Sequence, residues 1–220
     1  MQTGNAIKPY KTILNFSEEE IIIKKSRFIG HAMPCETEEA AKDFIEKIQK
    51  KHAQASHNCY AYIIGANAGI MRYSDDGEPQ GTAGIPIMNV LQNNELVNLC
   101  VVVTRYFGGV LLGAGGLVRA YTKGCSLAIT ASQIITMQLC RRIMFDFPYS
   151  VWDKVKYSFE QDSRIDIEKE EYGASVVTEI LIGEDDLEEV LHSVRNIINN
   201  EPDCIISDPF VYYRASSPIA

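Results

Sequence analysis

Apolar positions along this chain alternate between a spacing of two and a spacing of about 3.6, and the switches between the two mark its elements. Glu20–Met33 predicts one long strand. Glu36 to Glu39 then open a helix whose Ala40, Ala41, Phe44, Ile45 and Ile48 form one apolar stripe, with Lys47, Lys50 and Lys51 in its last turns to suit the helix dipole. His57–Gly65 and Ile70–Tyr73 predict a hairpin, Ile85–Gln92 a short helix, Leu96–Tyr106 a buried strand, and Gly115 to Ala131 a longer helix. Further on, Met137–Phe147 alternates as a strand and Val151–Gln161 as a helix. Arg164–Tyr172 and Ser175–Ile182 predict a hairpin closed by a glycine turn at Gly173. Glu184, Asp185 and Asp186 place acids ahead of a helix carrying Leu187, Val190, Leu191, Val194, Ile197 and Ile198, and Cys204–Tyr213 closes as a strand.

The second set reads βαββαβ, the ferredoxin-like split arrangement, and the first is a mixed set of strands and helices. The expectation is an α+β protein of two domains, residues 1–133 and 134–220. At 220 residues, 46% hydrophobic and 23% charged, the chain has enough apolar material for packed cores. No apolar run approaches the roughly 20 residues that span a bilayer, and the first residues lack a basic region followed by an apolar one. The expectation is a cytoplasmic protein without membrane contact. Six widely spaced cysteines, with no C-x-x-C pair, suggest reduced core thiols. Charge is uneven: residues 1–135 carry 13 Lys and Arg against 12 Asp and Glu, and 136–220 carry 8 against 17, so the net values are +1 and −9. A nucleic-acid contact is therefore expected on the first half, and the overall balance argues against strong nonspecific binding.

The candidate chemistry sits in two glycine-punctuated segments, Ser74 to Gly84 and Thr104 to Tyr121. Asp75, Asp76 and Glu78 are enough carboxylates to chelate Mg²⁺ or share a proton, but Asp-Asp-Gly-Glu-Pro is also turn chemistry, which is the favoured assignment. Gly108, Gly109, Gly113, Gly115 and Gly116 lead into a helix whose free N–H groups could hold an anion, or whose glycines only permit tight packing. No G-x-x-x-x-G-K-[ST] is present, which weighs against a nucleotide-hydrolysing loop. Arg105 and Arg119 flank that run and suit a phosphate, or else pair with the acids and staple the two loops. His57 and Cys59 share a strand face, with His52 nearby, but the spacing fits no familiar zinc pattern and no metal site is expected. Tyr60, Tyr62, Tyr73, Tyr106, Tyr121 and Phe107 could stack on bases if exposed, and core is the favoured assignment for most of them.

At these residues the chain resembles the Impact/YigZ family. The matching stretches are S-D-D-G-E-P-x-G-T-A-G-x-P at 74–86, V-V-V-T-R-Y-F-G-G at 101–109 and L-G-A-G-G-L-V-R-A-Y at 112–121, with Ser26 to Ile29 and His57 to Tyr62 in support. The resemblance implies an N-terminal Impact domain of ribosomal protein S5 domain 2-like fold and a small ferredoxin-like C-terminal domain, a pairing similar to domains IV and V of translocating elongation factors. Eukaryotic members act in translational control and carry a different N-terminal domain. The implied function is translation regulation by a non-enzymatic binding module that contacts RNA, the ribosome or a ribosome-associated protein, without a cofactor or catalytic residues. The expected contact residues are His57; Ser74, Asp75, Asp76, Glu78, Gly81 and Thr82 of the first loop; and Arg105, Tyr106, Gly108, Gly109, Gly113, Gly115, Gly116 and Arg119 of the second. The alternative is a metal-dependent phosphate-handling enzyme acting on a nucleotide or RNA, by analogy of fold alone.

Overall fold

The computed structural model describes residues 8–215 and is of α+β type. By its contacts the chain divides into two units, one spanning Tyr10–Met137 and the other built on Gln138–Tyr213.

In the first unit, strand β1 (Tyr10–Ile13) pairs with the start of β7 (Ile134–Phe147). The unit is organised around β2 (Ser17–Ile23), β3 (Ser26–Pro34), β4 (His57–Ile64), β5 (Ile70–Ser74) and β6 (Leu99–Tyr106). These form an antiparallel sheet in the order β2-β3-β6-β4-β5. Central β6 explains the arrangement: its run Leu99-Cys100-Val101-Val102-Val103 is buried on both faces, and β-branched residues suit a pleated surface covered on each side.

Alternate residues of β6 therefore meet different helices. Leu99, Val101 and Val103 face α2 (Gly84–Asn93) and α3 (Ala114–Ala131), with Ile87, Leu91, Tyr121 and Cys125 in the same core. Cys100 and Val102 face α1 (Glu38–Lys51), whose Ala41, Phe44, Ile45 and Ile48 are buried as the stripe predicts, whereas Ala40, expected in the same stripe, lies in the first turn and is exposed. Helix α1 is capped by Thr37, whose hydroxyl accepts from the Ala40 N–H at 3.1 Å, and it carries Glu38 and Glu39 at its start and Lys50 and Lys51 at its end. Close approach of α3 to β3 requires glycine: a Cβ on Gly30 would lie 2.2 Å from the Gly124 carbonyl oxygen.

The single strand expected over Glu20–Met33 is in fact a hairpin. Lys24 and Lys25 both adopt the left-handed conformation, with φ of 47° and 67°, and turn β2 back onto β3 in two residues. Positive φ at both positions is the geometry that Asn-Gly normally supplies, and two lysines give no such signal in the sequence. β1 is a further strand beyond those read from the periodicity.

In the second unit, β7 is followed by α4 (Tyr149–Gln161), β8 (Asp166–Tyr172), β9 (Val176–Gly183), a short turn at Glu184–Asp186, α5 (Leu187–Ile198), β10 (Cys204–Ile206) and β11 (Phe210–Ala215). β7 pairs with β9, β9 with β8, and β10 with β7, all antiparallel. The expected strand Cys204–Tyr213 is thus interrupted, and Pro209, which cannot donate to a ladder, lies in the break. Phe145, Phe147, Trp152, Val155 and Phe159 pack with Val190, Leu191 and Val194 in its core. No helix among the described residues is long and apolar enough to cross a membrane.

Candidate functional site

The first loop is built by its own acids. Asp75, following β5, accepts from the backbone N–H of Gly81 at 2.8 Å with one oxygen, and from Ala83 at 3.0 Å and Gly84 at 2.8 Å with the other. Its carboxylate therefore closes the loop and satisfies the first N–H groups of α2, where Ala83 has no capping side chain. Asp76 adopts φ 42°, accepts from the Asn58 N–H at 2.6 Å, and takes the Ser74 hydroxyl on its own N–H at 3.1 Å. Gly81, at φ 77°, makes the bend, and the buried Thr82 hydroxyl donates to the Pro79 carbonyl at 2.6 Å. Asp75 and Asp76 are thus committed to backbone donors and, with Glu78, do not converge on a common point.

Glu78 turns inward and is the centre of a buried cluster. Its Oε1 accepts from Arg105 Nη1 at 2.7 Å and from the Tyr121 hydroxyl at 2.8 Å, while His57 Nε2 lies 3.9 Å from Oε2. The side chains of Glu78 and Arg105 are only 3% and 7% exposed, so the ion pair is dry. The Arg105 guanidinium lies against the rings of Phe28 and Phe107, at 5.5 and 5.4 Å, and its Nε has no partner among the described residues. Burial raises the Tyr121 hydroxyl far above its usual range, and the Glu78 carboxylate pushes the same way, so it stays protonated and donates. Arg105 therefore joins the first loop to β6 from inside.

His57 donates Nδ1–H to the Asp76 carbonyl at 2.7 Å. The Cys59 thiol donates to the Asp75 carbonyl at 2.9 Å and is held protonated, chiefly by burial. Both residues thus buttress the loop.

The second loop is the open one. Phe107 and Gly108 are tied down by the Ser56 and Ser26 hydroxyls, each at 3.2 Å, and a Cβ on Gly108 would lie 2.1 Å from the Lys25 backbone. Beyond them Gly109 and Gly113 have φ of 81° and 73° with free space around them. Gly113 N-caps α3 without a side-chain bond, and the first turn holds Ala114, Gly115 and Gly116 and no acid. A Cβ on Gly115 would meet nothing, whereas one on Gly116 would press on Leu112. The N-terminal N–H groups of α3 are therefore open to an acceptor, one turn before the exposed Arg119, which has no ion-pair partner among the described residues. Phe107, Val110, Leu111 and Val118 are exposed apolar residues on the same segment, Leu111 at 81%. Tyr106 faces the α1 side of the sheet, where its hydroxyl meets His52 Nδ1 at 3.0 Å, and so lies apart from Arg105.

The fifteen expected residues thus separate into three groups. Ser74, Asp75, Asp76, Glu78, Gly81, Thr82, His57 and Arg105 form the internally satisfied loop and its buried staple. Gly108, Gly109, Gly113, Gly115, Gly116 and Arg119 form the open loop. Tyr106 belongs to the far face. The apolar tip at Val110 and Leu111 and the neighbouring Lys24-Lys25 turn were not among the residues expected from sequence.

Residues 24–129 match the Impact N-terminal domain. Over 194 residues the chain is 39% identical to the IMPACT family member YvyE of Bacillus subtilis, covering 88% of this chain and 89% of that protein. It is 45% identical over 109 residues to the IMPACT family member YigZ of Escherichia coli, covering 49% of this chain and 53% of that protein. A crystal structure described only as that of a hypothetical protein aligns with a TM-score of 0.58 at 28% identity, covering 90% of this chain and 97% of that one.

Proposed function

This chain belongs to the IMPACT family, and from that premise we propose that it is a non-enzymatic binding module of the translation machinery, engaging RNA or a ribosome-associated protein through its second glycine loop. One observation carries this: the acids of the first loop are spent inside the protein, whereas the second loop presents an open helix N-terminus, Arg119 and exposed Phe107, Val110 and Leu111 on a rigid sheet. Helix N–H groups and a guanidinium favour a phosphate or carboxylate, and apolar side chains favour a partner that excludes water. The commitment of Asp75, Asp76 and Glu78 to other groups weighs against a metal-dependent phosphate-handling enzyme. By the same inference the first unit is of S5 domain 2-like fold and the second ferredoxin-like, a reading supported by the strand order β10-β7-β9-β8. Six free cysteines, five of them buried, support residence in a reducing cytoplasm.

The test is a salt-titrated binding assay of the tag-free chain against ribosomes and structured RNA, comparing wild type with Arg119→Ala and Leu111→Ser. Binding that weakens with salt is expected, with the log–log slope lowered by roughly one in Arg119→Ala, as for one lost phosphate contact. Leu111→Ser is expected to weaken binding without changing the slope. Absence of binding to both probes at low salt would refute the proposal.

A further inference from the structure

On the α1 face of the sheet, away from the glycine loops, three ligating side chains distant in sequence converge. Glu18 of β2 and His31 of β3 are cross-strand partners, and His52 is the C-cap of α1. A carboxylate oxygen of Glu18, a ring nitrogen of His31 and one of His52 all lie within 4.8 Å of one another. The His31 and His52 rings are 5.1 Å apart between centroids. His31 is fully buried and His52 is 8% exposed, whereas the Glu18 side chain is 37% exposed and leaves a route inward from solvent.

The hydrogen bonds around the two imidazoles leave one buried nitrogen of each ring without a partner among the described residues. The Thr104 hydroxyl donates its one proton to Asn58 Oδ1 at 2.7 Å, so its oxygen must accept from His31 Nε2–H, 3.3 Å away. That leaves the lone pair on His31 Nδ1, which faces Glu18 Oε2 at 3.3 Å with no hydrogen-bond partner. Two lone-pair atoms opposed at that distance repel unless a proton or a metal cation lies between them. For His52, Nδ1 meets the Tyr106 hydroxyl at 3.0 Å, and the buried Nε2 has no partner. Orphaned buried nitrogens cost free energy. Each histidine thus carries an orphaned buried nitrogen, and both belong to the cluster that Glu18 completes.

We propose that Glu18, His31 and His52 form a binding site for a divalent first-row transition metal of the Zn²⁺ type, with a fourth position open to water or a ligand. Zn²⁺ takes imidazole and carboxylate ligands at about 2.0–2.2 Å in a tetrahedron, so its ligands stand about 3.3 Å apart. The His31–Glu18 edge already has that length, at 3.3 Å, and the other separations, all within 4.8 Å, close by side-chain rotation of Glu18 or His52. Thr104 holds the His31 ring and fixes its tautomer, and Tyr106 holds the His52 ring, as outer groups do at known sites. Burial pushes the His31 imidazole down to about 4, with Glu18 opposing and the Lys51 charge adding to the fall. His52 is lowered as well, first by burial and then by Lys51. The group that competes is Lys51, whose ammonium bonds Glu18 but reaches neither orphaned nitrogen.

The test adds Zn²⁺ or Co²⁺ to the chelator-stripped, tag-free full chain and reads stoichiometry after desalting, the visible spectrum of Co²⁺, and the thermal midpoint. One equivalent per chain, a tetrahedral Co²⁺ spectrum and a higher midpoint are expected. Glu18→Gln, at the surface and compatible with folding, and His52→Gln each lower affinity at least about tenfold, since loss of a ligand exceeds the roughly 10–100-fold effect of outer groups. Lys51→Met removes the competing ammonium and tightens binding, a gain that mere destabilisation does not produce. A folded wild type that takes up no metal overturns the proposal, as do Glu18→Gln and His52→Gln proteins that bind like wild type, or a Lys51→Met protein that binds more weakly.

Discussion

The buried Glu78–Arg105 pair separates a stapling role from a contact role, and its removal can be put in numbers. Arg105→Met keeps an unbranched apolar side chain beside Phe28 and Phe107 but leaves the Glu78 carboxylate with one neutral donor, the Tyr121 hydroxyl, in a site 3% exposed. Breaking a buried pair from one side costs about 3–5 kcal/mol. For a chain of this size that is a fall of about 10 °C in thermal midpoint. Glu78→Gln strands the guanidinium instead and is expected to cost about 2–3 kcal/mol, because the amide oxygen still accepts from Tyr121. The double variant removes both charges, keeps the Tyr121 acceptor, and should cost no more than the worse single change, a coupling of about 2–3 kcal/mol. Urea unfolding by circular dichroism, with hydrogen exchange of β4 and β6 peptides, measures it; the one tryptophan, Trp152, sits in the core of the other unit and does not report on this one. Two single costs below about 1 kcal/mol that simply add would refute the argument. So would a double variant that keeps its stability yet loses partner binding, since Arg105 would then be a direct contact.

The open loop and its neighbouring turn give two sharper tests, and the cysteines a third. Lys24→Asn with Lys25→Gly relieves two non-glycine residues at φ 47° and 67°, and should raise stability by about 1–2 kcal/mol while weakening ribosome or RNA binding if those lysines serve the same surface; unchanged binding would remove them from it. Gly115→Ala, whose methyl meets no atom, should be neutral to stabilising by up to about 1 kcal/mol in urea unfolding yet weaken anion binding through lost backbone approach, and equal affinity would mean that the helix terminus is not used. Cys204 is the one cysteine that is not buried, so alkylation of the native protein should mark it first; burial and then Asp203 raise its thiol above the usual range, and labelling should quicken as pH rises through the alkaline side, whereas early labelling of Cys59 or Cys125 would contradict the packing.

Much of the fold was legible because its helices carry periodic stripes: Ala41, Phe44, Ile45 and Ile48 are buried where the spacing of α1 puts them, as are Val190, Leu191 and Val194 of α5. The Lys24-Lys25 reversal was not, because the energy that holds two lysines at positive φ comes from β2 and β3 pairing along their whole length, a non-local source that no dipeptide reveals. Asp75 was legible as turn chemistry but not as the acceptor for three N–H groups up to nine residues away, since that follows from the loop's closure. The Glu18, His31 and His52 cluster left no motif at all. Its members meet only through the β2–β3 register and the point at which α1 ends.

Strand β6 shows why this site could not be assigned from a run of residues taken as one motif. Thr104, Arg105, Tyr106 and Phe107 are consecutive, yet a strand sends neighbours to opposite faces. Arg105 goes to the α2 and α3 face and joins Glu78 and Tyr121; Thr104 and Tyr106 go to the α1 face and hold His31 and His52. One short segment thus supports two separate clusters, and Asn58 links them: its N–H donates to the Asp76 carboxylate of the first loop, and its amide oxygen accepts from Thr104. A substitution at Thr104 or Asn58 should therefore disturb metal uptake and loop order together. Substitutions in the open loop at Arg119 or Leu111 touch neither cluster, and that independence is what allows partner binding and metal binding to be measured as separate properties of one unit.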